Sequence, residues 1–233
     1  MYPILFYGVP QGCSFGSIVA LEWLNKPYRL CRIRMPEDLQ ANWYAWVNVV
    51  RETPSMMLED GRMLSQSVAI LLNIARRGAH RGLGFEPGTA EHDRLVEMLA
   101  FLNTTFFSAF SPLWIAYESG GDASTQRVLR DLGQHEVRKA HEQLELLLGD
   151  REWLVGDTRT VADAYLIGIS RWTQYHRVLD QREYPNIHRL VRKLKADPAV
   201  LFADAIEEER PATSAGGFRG HVSIEDIKLS LAA

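Results

Sequence analysis

The hydrophobic pattern of this chain changes character once, at a glycine-rich segment, and that change restricts the fold to two unlike halves. Residues 78–90 hold Gly78, Gly82, Gly84, Gly88 and Pro87, residue types that interrupt regular backbone. Before this segment, short apolar runs are interleaved with brief helical patterns. After it, only long helical patterns occur. Charge changes at the same place: residues 1–78 carry eight Lys/Arg and six Asp/Glu, and the remainder carries eighteen and twenty-three. The expected organisation is an α/β domain at 1–78, a linker at 79–90, an all-helical domain at 91–210 and a tail at 211–233.

Within the first half, Ile4-Leu5-Phe6-Tyr7 is bounded by Gly8, Pro10 and Gly12 and reads as a buried strand. Phe15, Ile18, Val19, Leu21, Trp23 and Leu24 follow at helical spacing, with Ser14 placed to cap them, and Asn25-Lys26-Pro27 ends the run. Residues 28–33 read as a second strand, and a strand-helix-strand unit favours a parallel pair with a right-handed crossover. Asp60-Gly61 between two apolar runs predicts a hairpin, and a helix is expected over 67–77. In the second half, helices are expected at 91–118, 125–148, 160–178, 187–196 and 198–208. Pro112 predicts a kink in the first of these. Thr160-Val161-Ala162-Asp163 has the capping-box pattern, without an apolar residue at Arg159 to complete a staple. The tail, with Gly216, Gly217 and Gly220, leaves two states open, draped over a surface or mobile.

Composition narrows the function classes. A formal charge of -3 supplies no bulk field for nucleic acid or anionic membrane. No uninterrupted apolar run reaches the ~18 residues of a membrane span, and the Met1-Tyr2-Pro3-Ile4-Leu5 start lacks a basic signal-peptide n-region. Two cysteines, Cys13 and Cys31, suit a reducing, cytoplasmic setting. The seven histidines show no metal-ligand spacing; His135 and His141 are expected to be solvated on a helix face. No phosphate-binding glycine loop is present. Cys31 falls within a strand and is expected to pack in the core.

Cys13 is the group with chemistry. It follows a strand and opens a helix, where unpaired amides and the helix dipole favour an anion. There a thiol pKa can fall from near 8.5 to roughly 3.5–7.5, each unit favouring the thiolate by about 1.4 kcal/mol. The same residue also fits a small buried apolar position. Ser14 is placed either to donate to a thiolate or to cap the helix, and Tyr7 either to donate from its phenol or to pack in the strand.

Tyr7 with Cys13-Ser14, Thr53-Pro54 before the hairpin, Gln66-Ser67-Val68-Ala69-Ile70 opening a helix, and Val155-Gly156-Asp157 with Thr160-Val161-Ala162-Asp163 together resemble the glutathione S-transferase superfamily over about residues 3–205. The Gly12-Cys13-Ser14 segment is most similar to the bacterial cysteine-bearing, beta-like branch. That resemblance implies a thioredoxin-like domain followed by an all-α domain, a homodimer, and glutathione as co-substrate. It implies catalytic roles for Cys13, Ser14 and Tyr7, although the branch usually places its tyrosine five residues before the cysteine and this chain has six. It implies a cis bond at Thr53-Pro54 with the Thr53 backbone pairing glutathione like an added strand. Gln66 and Ser67 are implied to hold the γ-glutamyl end, with Gln66 standing where many relatives carry Glu. A small hydrophobic co-substrate is implied to lie against Phe106, Phe110, Trp114 and Tyr117. Phe107-Ser108, just before Phe110-Ser111-Pro112-Leu113, occupy positions that are often His-Lys in that branch, so the cleft is expected to be less basic. The function expected is glutathione-dependent transfer or thiol-disulfide reduction. A non-catalytic adaptor of the same fold and a glutathione-assisted isomerase or lyase are the alternatives.

Overall fold

Ile4–Val9 (β1), Phe15–Leu24 (α1) and Tyr28–Arg34 (β2) form the expected parallel unit in the computed structural model, which describes residues 1–232. Every residue of β1 is buried, which is why it reads as a continuous apolar run rather than an alternation. Two short helices, Glu37–Gln40 (α2) and Tyr44–Val47 (α3), lead to Ser55–Met57 (β3), which pairs antiparallel with β1. Met63–Ser65 (β4) pairs antiparallel with β3. Their turn closes through Leu58 N–H to Arg62 O at 2.8 Å, with Gly61 at φ +84°. Ser67–Arg77 (α4) then packs back on α1.

The helical half comprises Ala90–Phe101 (α5), Ser111–Glu118 (α6), Ala123–Leu148 (α7), Val161–His176 (α8), Pro185–Lys195 (α9) and Pro198–Glu207 (α10). The Thr160/Asp163 capping box forms: Asp163 accepts from Thr160 N–H at 2.8 Å and also from Leu154 N–H at 3.0 Å. The run expected as one helix over 91–118 is broken. It passes through a π-helical stretch at 102–107 and a 3₁₀ turn at 108–110 before restarting at Ser111. Pro112 sits in the first turn of α6, where its missing N–H costs nothing. The segment Ala90–Glu118 is long and apolar enough by composition to cross a membrane. Its Leu95, Met98, Leu99, Leu102, Phe106, Phe110 and Leu113 are instead buried in the main core.

The tail is neither draped nor free. Phe218–His221 (β5) pairs parallel with β2, and Ile224–Ala232 (α11) follows. The sheet order is therefore β4-β3-β1-β2-β5. Val222 and Ile227 join Ile4, Phe6, Cys31, Ile33, Tyr44, Val47 and Met57 in a second core on the sheet face opposite the main one. Cys31 is fully buried there, and burial pushes its thiol up to about 12. The tail is tied down by Glu22 of α1, a buried carboxylate. It accepts from Tyr28 Oη at 2.5 Å, Ser214 Oγ at 2.9 Å and Ala215 N–H at 2.6 Å.

His141, expected in solvent, is fully buried on α7; His135 is exposed as expected. The His141 Nδ1 lies 2.7 Å from Val137 O, and its ring packs 4.8 Å from Phe106 and 5.2 Å from Tyr184. The period of α7 was right, but α6, the 102–110 stretch and α9 pack on it, and Phe106, Tyr184 and Thr173 enclose the ring. Burial lowers the His141 pKa to about 4. An unfolded imidazole titrates near 6.5, so neutral His141 contributes stability that is full above that pH and is lost as pH falls toward about 4. Urea unfolding between pH 7.5 and 4.5 is expected to cost the wild type on the order of 3 kcal/mol more than His141→Phe. Parallel pH dependences in the two proteins would refute this.

Candidate active site

The loop between β1 and α1 is held in one shape from several sides. Ser14 Oγ accepts from Gly8 N–H at 3.0 Å, closing the loop on itself. A side chain at Gly12 would place its Cβ 2.1 Å from Gly8 O, so only glycine fits. From the helical half, Trp172 Nε1 donates to Gln11 O at 3.0 Å and Arg171 Nη2 donates to Gly12 O at 3.2 Å. These two adjacent residues of α8 hold two adjacent loop carbonyls. They reach the loop because α1 and α8 cross at Gly16 and Gly168: a Cβ on Gly16 would lie 2.5 Å from Ala164 O, and one on Gly168 would lie 2.9 Å from Gly16 N.

Cys13 lies just before the first turn of α1, half-buried. Its Sγ–H donates to the Thr53 carbonyl at 3.2 Å. Burial pushes the thiol up to about 11, and the carboxylates of Glu52 and Glu207 push the same way. A hydrogen bond with the Ser67 side chain and the Cys13 backbone N–H oppose them. The sulfur is thus at the helix start as expected, yet it is a neutral thiol: desolvation and the two nearby carboxylates outweigh the amide dipoles.

The structure brings Cys13, Thr53 and Ser67 together. Thr53–Pro54 is a cis peptide, and among the described residues the Thr53 N–H has no hydrogen-bond partner. Ser67 is buried at the first position of α4. Gln66 precedes it at φ +76°, and its Nε2 lies 3.3 Å from Glu52 Oε2. Tyr165 of α8 donates to Asn103 Oδ1 at 2.7 Å from above the same group.

Tyr7 is not brought there. It is fully buried, and its hydroxyl lies 3.1 Å from His221 Nε2 on β5 and 3.4 Å from Arg32 Nη1 on β2. Both partners are on the β2 side of β1, whereas Thr53 precedes β3 on the other side. The hydroxyl is engaged by the tail strand and by β2. Ser14 is likewise fully buried; it makes no side-chain cap bond, and its oxygen accepts from Gly8 N–H, so the capping role expected of it is not filled.

The aromatic stripe divides. Phe106 and Phe110 are wholly buried core residues, and Tyr117 is exposed. Trp114 is half-buried, stacked 5.5 Å from Tyr175. The 102–107 π-helical stretch rotates the register of the stripe. Half-buried Phe107 joins Trp114 and Phe110 around the Trp172 ring, at 5.1, 5.2 and 5.6 Å, and the Nε1 of that ring holds Gln11. A cavity of about 280 Å³ flanks the loop between Gln11, Arg32, Met35 and Glu207.

Arg171, Trp172, Tyr165 and Glu52 were not identified from the sequence. The one available signal was Arg171 itself, a cation in the otherwise apolar run from Val161 to Trp172. Among the described residues no cluster of metal-ligating side chains occurs.

The family model for the glutathione S-transferase C-terminal domain matches residues 104–198. Glutathione S-transferase GST-4.5 of Xanthomonas campestris pv. campestris is 30% identical over 168 residues, 71% of this chain and 80% of that protein. The bacterial beta class glutathione S-transferase of Sphingomonas chungbukensis is 26% identical, with a TM-score of 0.76 over 88% of this chain and 98% of that one. A sphingomonad glutathione S-transferase complexed with glutathione is 27% identical, again with a TM-score of 0.76 over 88% and 98% of the two chains. In fold, in the order of its site residues and in its relatives, the chain belongs to the glutathione S-transferase family.

Proposed function

We propose that this protein catalyses a glutathione-dependent transfer in which the tripeptide thiolate attacks an electrophilic carbon of a small hydrophobic co-substrate. The observation that carries this reading is the convergence of Cys13 Sγ, the Thr53 carbonyl and the Ser67 hydroxyl at the start of two helices. Glutathione lies along Thr53–Pro54, its cysteinyl backbone paired with the Thr53 N–H and C=O as an added strand. Its γ-glutamyl carboxylate meets Ser67 and the amides opening α4. Gln66 adds an uncharged contact to the α-amino group, with Glu52 beside it supplying the charge that Gln66 lacks. The hydrophobic co-substrate lies against Phe107 and the Trp172 wall.

Transfer is favoured over thiol-disulfide exchange by the state of Cys13. With a pKa pushed up to about 11, only about one molecule in 10⁴ carries the Cys13 thiolate at pH 7, where a free cysteine carries a few per cent. Such a thiol is a weak nucleophile but a competent hydrogen-bond donor to a second sulfur. Cys13 therefore stabilises the glutathione thiolate, a preorganised donor of the kind whose removal costs about 10²–10³ in rate when it is the main one. Two unpaired thiols suit a cytoplasmic setting. Trp46, Val49 and Val50, exposed together between α3 and β3, form the kind of apolar patch that a second copy covers in a homodimer.

Three measurements test this reading. Calorimetric titration with glutathione is expected to show about tenfold weaker binding to Ser67→Ala than to wild type, the loss of one hydrogen bond to a charged group; equal affinities would refute the ligand assignment. Cys13→Ala is expected to lose about tenfold or more in kcat for conjugation of a halogenated nitroaromatic, with KM for glutathione changed little; wild-type kcat would remove Cys13 from the chemistry. Light scattering is expected to give twice the chain mass, and Val49→Glu with Val50→Glu to give the monomer.

A further inference from the structure

We infer that Arg171, braced by Glu207, is a positioning residue that fixes the Gly12–Cys13 peptide so that its N–H faces the reactive sulfur. The inference rests on Cys13 being the sulfur of the site, as proposed above. A peptide unit is planar, with its C=O and N–H pointing in opposite directions. Holding Gly12 O on Arg171 Nη2 at 3.2 Å therefore turns the Cys13 N–H away from α8. Cys13 Sγ, on the residue that this peptide opens, lies 3.2 Å from the Thr53 carbonyl, and amides at a helix start favour its thiolate. Trp172 holds the preceding carbonyl, Gln11 O, in the same sense.

The guanidinium is itself over-determined. Its Nε donates to Gly168 O at 3.2 Å, Nη1 bonds Glu207 Oε2 at 2.7 Å, and Nη2 reaches Glu207 Oε1 at 3.3 Å as well as Gly12 O. Its Cζ sits 3.7 Å from the centre of the Phe15 ring, the first residue of α1. Arg171 thus brackets Cys13 from both sides, by a hydrogen bond to the residue before it and by stacking on the first helical residue after it. Glu207 is placed by Arg32, which donates to Ile206 O at 3.1 Å and Glu207 O at 2.9 Å and so caps the end of α10. The ion pair is nearly dry, with the two side chains 13% and 7% exposed. A dry pair contributes little net stability relative to apolar packing of the same volume. Its retention here is explained by the carbonyl that the fork holds. Lysine keeps the charge, but its three N–H groups sit on one nitrogen and cannot reproduce the four bonds that Nε, Nη1 and Nη2 make to Gly168 O, Glu207 and Gly12 O, so it holds Gly12 O less firmly.

The charged groups facing Cys13 are Glu52 and Glu207; Arg171 neutralises the second, so charge and positioning must be separated. The test is the pH profile of iodoacetamide alkylation of Cys13, mapped by mass spectrometry on the full-length wild type, Arg171→Met and Arg171→Lys. This reagent needs no bound glutathione, so the result stands even if the glutathione assignment fails. Both variants are expected to alkylate Cys13 at least threefold more slowly at pH 8, with the profile displaced to higher pH. A wild-type profile for Arg171→Lys would mean that charge alone matters, and would overturn the inference. Faster alkylation would overturn it too, since that is the signature of a merely loosened loop. Labelling of the fully buried Cys31 marks any variant that has unfolded, and in that case Glu207→Gln is the second arm. Gln keeps an acceptor for the fork, so Cys13 is expected to alkylate no more slowly than in wild type; slower alkylation would place the effect on the carboxylate charge and overturn the inference.

Discussion

The backbone-to-backbone approach of α1 and α8 is the constraint on which the site depends. Neither Gly16 nor Gly168 has room for a methyl group, because each faces the other helix's main chain at less than 3 Å from where a Cβ would stand. That approach sets α8 deep enough for Arg171 and Trp172 to hold the carbonyls of Gly12 and Gln11. The loop alone would have few reasons to hold one shape: it contains Gly12, and Gln11 at φ +52°. Its conformation is imposed from the helical half. The site is thus shared between the two halves: Cys13, Thr53 and Ser67 lie in the first, and Arg171 and Trp172, which hold the loop, lie in the second.

The tail belongs to the same scheme from the other edge of the sheet. An unpaired β2 would be an open edge; β5 covers it, and α11 closes the second core. The buried Glu22 carboxylate would be costly on its own, but it is satisfied by three donors, two of them from the tail. Docking of the tail also decides the fate of Tyr7. His221 arrives beside its hydroxyl, with Arg32 on the other side, and burial raises the phenol pKa. Tyr7 becomes part of the brace that runs through Arg32 to the end of α10, and so to Glu207.

What was legible in the sequence was local. The β1-α1-β2 unit, the Asp60-Gly61 hairpin, the Thr160/Asp163 cap and the helical second half each rest on periodicity or on turn chemistry within a few residues. What was not legible depends on distant partners. β5 has four residues, one of them Gly220, and pairs with a strand some 190 positions earlier; nothing in so short a segment specifies that partner. His141 lies on a helix with a polar composition, and its burial is set by what packs over it. The stripe Phe106, Phe110, Trp114 and Tyr117 was read with α-helical spacing, and the π-helical stretch shifts that phase so that Phe107 joins Phe110 and Trp114 beside Trp172. Of the site, Cys13 was named from its place at a helix start, and Thr53, Pro54 and Ser67 from the family resemblance. Arg171 was passed over because a cation in an apolar helix shows no partner until Gly12 and Glu207 are seen beside it.

The neutral state of Cys13 follows from the acceptors around it, and those acceptors change when a peptide binds. In the structure the Sγ–H is spent on the Thr53 carbonyl. On the proposed reading, that carbonyl is the one that pairs with the cysteinyl N–H of glutathione, a stronger donor than a thiol. The ligand's own backbone then competes for the acceptor and releases the Cys13 proton toward the incoming sulfur, while the Cys13 amide stays where Arg171 holds it. A thiol that is poor as an anion is for that reason well suited to this second role. The same burial that keeps the proton on Cys13 keeps it available to donate, and it lowers the dielectric in which the resulting hydrogen bond to a thiolate acts.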